Sequence, residues 1–171
     1  MRPALFQRVD LRLRQALPGL LVLLCIMLSV APVRLPDHAL VAPGVELIAV
    51  FYWTVHRPDL LRPWQACLFG LLDDILSGGS LGVNALVLTL AHWVVVSQHR
   101  VFRGKSFVVV WIAFAMLAPV AISLTALLSA VAGRSPLDPV IVLVQTTLTI
   151  ALYPPLAWLF GRAQRLFLAG I

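Results

Sequence analysis

Charged side chains are scarce in this sequence. Only 12% of its 171 residues are charged, while 61% are apolar. Soluble domains average about a quarter charged residues, and a soluble domain of this size has far more polar surface to cover. The scarcity of charge argues against an ordinary soluble fold, and a membrane protein is the simplest interpretation. It predicts one integral membrane domain over residues 1–171, without a second globular unit.

The sequence also lacks the residue patterns that hold metals or cofactors. Its two cysteines, Cys25 and Cys67, lie in apolar stretches, so neither a disulfide framework nor a zinc site is indicated. No phosphate-binding loop, HExxH or CxxC motif is present. The net charge of +6 comes without a basic stripe interleaved with aromatics, which argues against nucleic acid. We therefore expect no cofactor, no metal and no nucleic-acid partner.

One short segment imitates a catalytic motif. Residues 78–82, GGSLG, match the G-x-S-x-G pattern of hydrolases, in which the serine follows a strand and precedes a helix. Here the segment joins two apolar helical runs, and only His38 is expected near Ser80 to act as a base. The sequence therefore predicts a protein that is not an enzyme, with Ser80 as a loop residue.

What the sequence has in abundance is long apolar runs. A helix needs about 20 residues to cross the hydrocarbon core, and six runs approach or exceed that length, so we predict an all-α protein with six transmembrane helices. The segment before them, 1–15, is basic and amphipathic, and is predicted to lie on the membrane surface. A disordered basic tail is the alternative. The predicted spans are 16–33, 39–55, 63–80, 81–98, 106–133 and 139–161.

The basic residues predict the orientation of these spans, because cytoplasmic loops carry an excess of Lys and Arg. If all six runs cross and the N-terminus is cytoplasmic, only Arg34 and Arg134 of the 13 Lys and Arg residues lie outside. The asymmetry almost disappears if the third run folds back without crossing. We therefore predict that both termini are cytoplasmic. All five tryptophans then fall near the cytoplasmic ends of spans, which predicts that they form one half of an aromatic belt at the membrane interface.

Two adjacent carboxylates, Asp73 and Asp74, lie in the third apolar run. A charge inside a bilayer costs a few kcal/mol or more, so such residues face protein or a wet cavity. Neighbouring helix positions point about 100° apart, so the pair is not expected to act as a facing acid and base. Asp74 instead shares a spacing of four with three glycines. The predicted helix-packing or partner-docking stripe is Gly70, Asp74, Gly78 and Gly82.

Further polar residues fall in the outer halves of the predicted spans. If they face inward, they frame a polar cavity that opens outward. The alternative for every Ser and Thr among them is a hydrogen bond to its own helix backbone. That alternative does not apply to the carboxylates and amides. The predicted intramembrane polar cavity therefore comprises Glu46, Asp73, Asn84 and Gln145.

The segment GLLDDILSGGSLGVNAL resembles the signature region of the bacterial rod shape-determining protein MreD family. The positions that carry the resemblance are Gly70, Leu71, Leu72, Asp74, Gly78, Leu81 and Gly82. The resemblance implies a non-catalytic scaffold of the cell-elongation (Rod) complex in the bacterial inner membrane. It further implies docking of MreC, a single-span protein, and a wider complex with MreB, RodZ and the wall glycosyltransferase–transpeptidase pair.

The same resemblance implies a fold similar to the six-helix substrate-binding subunits of vitamin (ECF-type) transporters. Two functions therefore remain open. The first is a scaffold needed for rod shape and lateral-wall peptidoglycan synthesis. The second is a small-molecule-binding subunit of a transporter, for which a closed pocket with convergent polar groups is expected.

Overall fold

The structure, a computed structural model, describes residues 19–27, 42–58, 60–98, 104–133 and 138–168. All regular elements in these ranges are helices. The predicted surface segment 1–15 lies outside the described residues, as does His38. The helices are α1 (19–27), α2 (Val45–His56), α3 (Pro63–Ser77), α4 (Val83–Ser97), α5 (Phe107–Val131) and α6 (Pro139–Leu168).

Proline and polar side chains define where two helices begin. Pro63 takes the first position of α3, where its missing N–H leaves no hydrogen bond unmade. Pro139 does the same in α6, and Asp138 accepts a hydrogen bond from the Val140 N–H at 2.9 Å. The carboxylate thereby satisfies one of the N–H groups that a helix start exposes.

Several helix boundaries differ from the predicted spans. The second span was predicted over 39–55. Of the described residues in that range, 42–44 are not helical, and α2 begins at Val45. The third and fourth runs were expected to meet at residue 80. A turn over 78–82 separates them, because Gly78 and Gly82 adopt left-handed backbone with φ of 68° and 92°. At the other end of the chain, α6 continues to Leu168, beyond the expected 161.

Helix α2 lies at the centre of the bundle. Its nine consecutive residues from Leu47 to Val55 are all buried. The helices α3 and α4 form an antiparallel hairpin beside it, α5 packs on α4 and α6, and α6 runs parallel to α2. Where α2, α5 and α6 meet, the Phe114 ring stacks on Tyr153 at 4.6 Å and contacts Phe51 edge-on at 5.0 Å. These rings form the core of the bundle.

The charged residues of the described ranges separate completely between the two ends of the bundle. We call the end formed by the starts of α2, α4 and α6 the acidic end, and the opposite end the basic end. The acidic end carries Glu46, Asp73, Asp74 and Asp138. The basic end carries Arg57, Arg62, Lys105, Arg162 and Arg165.

The tryptophans do not all behave as predicted. Trp64, Trp93 and Trp158 are 56%, 67% and 61% exposed, as a residue at a membrane interface should be. Trp53, however, is fully buried in the core, so its prediction as an interface residue is wrong. The reason is that α2 is surrounded by other helices and has no outward face at this position.

Among the residues that the structure describes, two helices are long and apolar enough to cross a membrane. They are α5 and the stretch Pro139–Arg165 of α6. The helices α2 and α4 are apolar but shorter, with 12 and 15 residues. At 1.5 Å per residue they measure roughly 18 and 22 Å, less than the hydrocarbon core of about 30 Å.

Candidate functional site

Asp74 lies in the last turn of α3, and only 1% of its surface is exposed. Its carboxylate accepts hydrogen bonds from the backbone N–H groups of Gly82 at 2.8 Å, Asn84 at 3.1 Å and Ala85 at 3.4 Å. These N–H groups belong to the start of α4, where no carbonyl of the same helix is available to accept them. A negative charge is also favoured there by the helix dipole. Asp74 therefore caps the neighbouring helix of its own hairpin.

Asp73 points into a different environment. It is 6% exposed, and its Oδ2 accepts a hydrogen bond from the Asn84 side-chain amide at 2.7 Å. Asn84 thus bonds to both carboxylates, to Asp74 through its backbone and to Asp73 through its side chain. The two aspartates do not face each other as an acid–base pair. Both connect α3 to the first turn of α4.

At Gly70 these two helices approach each other very closely. A Cβ atom on Gly70 would lie 2.4 Å from the Ala85 Cα, closer than any real side-chain contact. Only a residue without a side chain fits there. The hairpin therefore depends on Gly70 for its spacing and on Asp74 for its hydrogen bonds.

The geometry of the predicted glycine stripe needs correction. Gly70 and Asp74 do face α4, but Gly78 and Gly82 are not on the same helical face. Helix α3 ends at Ser77, and both glycines lie in the following turn, with nothing within 4 Å of a Cβ at either position. A spacing of four marks one face only while the helix continues. The backbone, and not close packing, explains these two glycines.

A cavity of about 190 Å³ opens at the acidic end between five helices. Glu46, Asp73, Asn84 and Gln145 all line it, so the structure brings the four polar residues together. Their sequence positions lie near the helix ends that share this side of the bundle. The remaining lining side chains are mostly small or apolar, with Ser77 and Thr125 among the exceptions.

Gln145 and Thr149 hold the start of α2 in place. The Gln145 amide donates to the Ala42 carbonyl at 3.0 Å. The Thr149 hydroxyl accepts a hydrogen bond from the Gly44 N–H at 3.0 Å and donates to the Gln145 carbonyl at 2.7 Å. Sequence reasoning missed Thr149, which is fully buried. Its position one turn after Gln145 places it on the same side of α6, but nothing local in the sequence indicated its contact with Gly44.

Most other hydroxyls bond their own helix. Thr89, Thr146 and Thr147 each donate to the carbonyl four residues earlier, at 2.6 to 2.8 Å. Ser80 lies in the turn between α3 and α4, not between a strand and a helix, so the nucleophile geometry is absent. Within the described ranges, no three His, Cys, Asp or Glu side chains come together as a metal site.

These features define an all-helical protein with two helices able to cross a membrane and polar residues that tie helices together. The chain belongs to the family of rod shape-determining protein MreD, whose family model matches residues 12–162. The predicted resemblance to this family is confirmed. The all-helical class with six helices is confirmed as well.

A curated relative supports the same family. The chain is 28% identical to rod shape-determining protein MreD of Haemophilus influenzae over 64 residues. This stretch is 37% of the chain and 40% of the relative, so the match spans less than half of the relative's length. No solved structure matches the chain.

Proposed function

We propose that the chain is a non-catalytic, multi-pass scaffold of the cell-elongation (Rod) complex in the bacterial inner membrane. It would dock MreC and support lateral-wall peptidoglycan synthesis, together with MreB, RodZ and the wall glycosyltransferase–transpeptidase pair. The observation that carries the proposal is the use of polar residues near the acidic end of the bundle. Asp74, Gln145 and Thr149 all bond the backbone of neighbouring segments, so they hold helices together and present no reacting group.

The separation of charge supports the membrane orientation. All described basic residues lie at one end of the bundle and all described acidic residues at the other. Because Lys and Arg are retained on the cytoplasmic side, the basic end faces the cytoplasm in this proposal. The acidic end, with the cavity, then opens outward. Because six is an even number of spans, the N-terminus and the C-terminus of the chain then both lie in the cytoplasm.

A groove between α5 and α6 is the proposed docking site for the membrane helix of MreC. Its volume is about 350 Å³. Small residues at a helix surface allow another helix to approach closely, and Ser123 and Ala126 provide them here. Pro119 adds a site where the regular helix hydrogen bond is missing. The groove is lined by Pro119, Ser123, Ala126, Pro139, Val142, Leu143, Thr146 and Thr147.

The alternative function, a small-molecule-binding subunit of a transporter, has one observation in its favour. Four polar side chains converge on the cavity at the acidic end. Ligand pockets, however, usually measure about 300–1,000 Å³, and this cavity holds about 190 Å³. Two of its polar side chains, Asp73 and Asn84, are also bonded to each other. The scaffold is therefore the better-supported function.

Crosslinking from the groove tests the docking proposal. With Cys25 and Cys67 replaced by alanine, we expect Ser123→Cys, labelled with a short thiol-reactive photocrosslinker, to form a crosslink with MreC in native membranes. Ile75→Cys is the matched control, because Ile75 is 58% exposed on α3, away from the groove. The expected yield from position 123 is several times that from position 75. Equal yields, or a crosslink from position 75 alone, would place the docking surface elsewhere.

A further inference from the structure

The outward face of α6 changes character along its length. Six residues spaced by three or four lie on this face, and all are exposed. The sequence of the face, in order towards the basic end, is Leu148, Ala151, Pro155, Trp158, Arg162 and Arg165. It passes from three apolar side chains through an indole to two guanidinium groups.

Trp158 and Arg162, which are neighbours on this face, are in contact. The Arg162 guanidinium carbon lies 5.5 Å from the centroid of the Trp158 ring, a cation–π arrangement. The Arg165 Nε–H donates a hydrogen bond to the Gly161 carbonyl at 3.4 Å. A guanidinium carries five N–H donors, so both arginines keep donors free for a further acceptor. Among the described residues, no carboxylate lies at this end to accept them.

The length of α6 places these arginines outside the hydrocarbon core, if the proposed membrane orientation holds. Its 30 residues measure about 45 Å at 1.5 Å per residue, against a core of about 30 Å. Trp158 then lies at the inner interface, where indoles are enriched. Arg162 and Arg165 lie at the level of the headgroups.

We infer that this face of α6 binds an anionic phospholipid of the inner leaflet. One acyl chain lies along Leu148, Ala151 and Pro155, and the phosphodiester bonds to Arg162 and Arg165. Arginine suits this role because its planar fork matches two phosphate oxygens at once. An anionic headgroup is preferred to a zwitterionic one, which would bring its own cation next to two guanidinium groups.

A lipid fits this face better than an acidic protein segment does. The basic positions continue without interruption into an apolar strip that runs into the proposed span. A water-soluble acidic peptide has no long apolar chain to cover that strip. A phospholipid matches both parts with one molecule. The inference rests on the proposed membrane orientation but is independent of MreC docking.

Native mass spectrometry of the full chain in detergent tests the inference. Phosphatidylglycerol and phosphatidylcholine are supplied in equal amounts, and the bound ratio is measured. We expect the wild type to retain phosphatidylglycerol preferentially. Arg162→Gln combined with Arg165→Gln should lower that preference about thirtyfold, the ratio expected for two arginines near an anionic surface. The control pair, Arg57→Gln with Lys105→Gln, removes the same charge from the same end and should change the preference less than threefold.

Three results would overturn the inference. One is a wild type without preference between the two lipids. Another is an equal loss in both double variants, which would mean a general attraction to the basic end. The third is displacement of the lipid by millimolar inorganic phosphate, which would mean a site for soluble phosphate. Failure of the chain to reach the membrane fraction would instead contradict the proposed membrane placement itself.

Discussion

Asp74→Leu is expected to lose the α3–α4 hairpin, with a fall in stability of roughly 3 kcal/mol or more. The change leaves the N–H groups of Gly82, Asn84 and Ala85 without their acceptor. Each hydrogen bond to a charged group contributes about 1.5–3 kcal/mol, and a buried donor left unsatisfied costs a similar amount. Asp74→Asn should be milder, because one oxygen still accepts. The stability of Asp74→Asn should remain below that of the wild type, because the amide NH₂ then faces backbone N–H groups.

The measurement is the thermal unfolding midpoint in detergent, with the amount of inserted protein as a second readout. Asp138→Asn and Asp138→Leu are matched controls, since Asp138 also caps a helix but is exposed. Loss of an exposed cap costs about 1 kcal/mol. Equal damage from Asn and Leu at position 74, at equal expression, would show that the negative charge itself is required and would favour a proton or ion role.

Gly70→Ala is expected to be nearly as damaging, although it adds a single methyl group. The added Cβ would lie 2.4 Å from the Ala85 Cα, and because that atom is backbone the two helices must separate. Overpacking of this kind costs about 1–3 kcal/mol. We place Gly70→Ala at the upper end of that range, because separation of the helices also lengthens the hydrogen bonds of Asp74.

Substitutions at two nearby glycines distinguish the effect of close helix packing from the effect of backbone strain. At Gly79 an added Cβ meets only the Ser77 Oγ at 3.4 Å, so Gly79→Ala should leave the unfolding midpoint almost unchanged. Gly78 has open space but a φ of 68°, so Gly78→Ala should cost about 1–2 kcal/mol through backbone strain alone. If Gly70→Ala unfolds at the same temperature as Gly79→Ala, the close approach of α3 and α4 is not what requires glycine.

The sequence was sufficient to locate polar residues at one end of the bundle, because that inference needs only approximate helix ends. Glu46, Asn84 and Gln145 each follow the start of a helix that begins at that end, and Asp73 precedes the end of one. The hydrogen-bond partners of Asp74 could not be predicted from helix ends alone. They depend on the left-handed backbone at Gly78 and Gly82, which turns α4 back over the carboxylate. A spacing of four instead suggested one continuous helical face.

The central position of α2 could not be predicted either. The helical runs are all mostly apolar, so hydropathy does not show which helix the others surround. For that reason Trp53 was expected at the membrane interface, whereas it is buried. Thr149 was missed for a related reason. Its contact with Gly44 joins residues 105 positions apart in the sequence, and no local pattern indicates that α2 and α6 are neighbours.

The orientation of the bundle underlies the docking groove, the lipid site and the outward cavity alike. Cysteine labelling in intact cells tests it most directly. In a chain with Cys25 and Cys67 replaced by alanine, single cysteines are placed at Gly79 in the turn of the acidic end and at Lys105 at the basic end, both exposed positions. A maleimide that cannot cross the membrane should label Gly79→Cys from outside. It should label Lys105→Cys only after the inner membrane is permeabilised. Labelling of Lys105→Cys in intact cells, with Gly79→Cys protected, would contradict the proposed orientation.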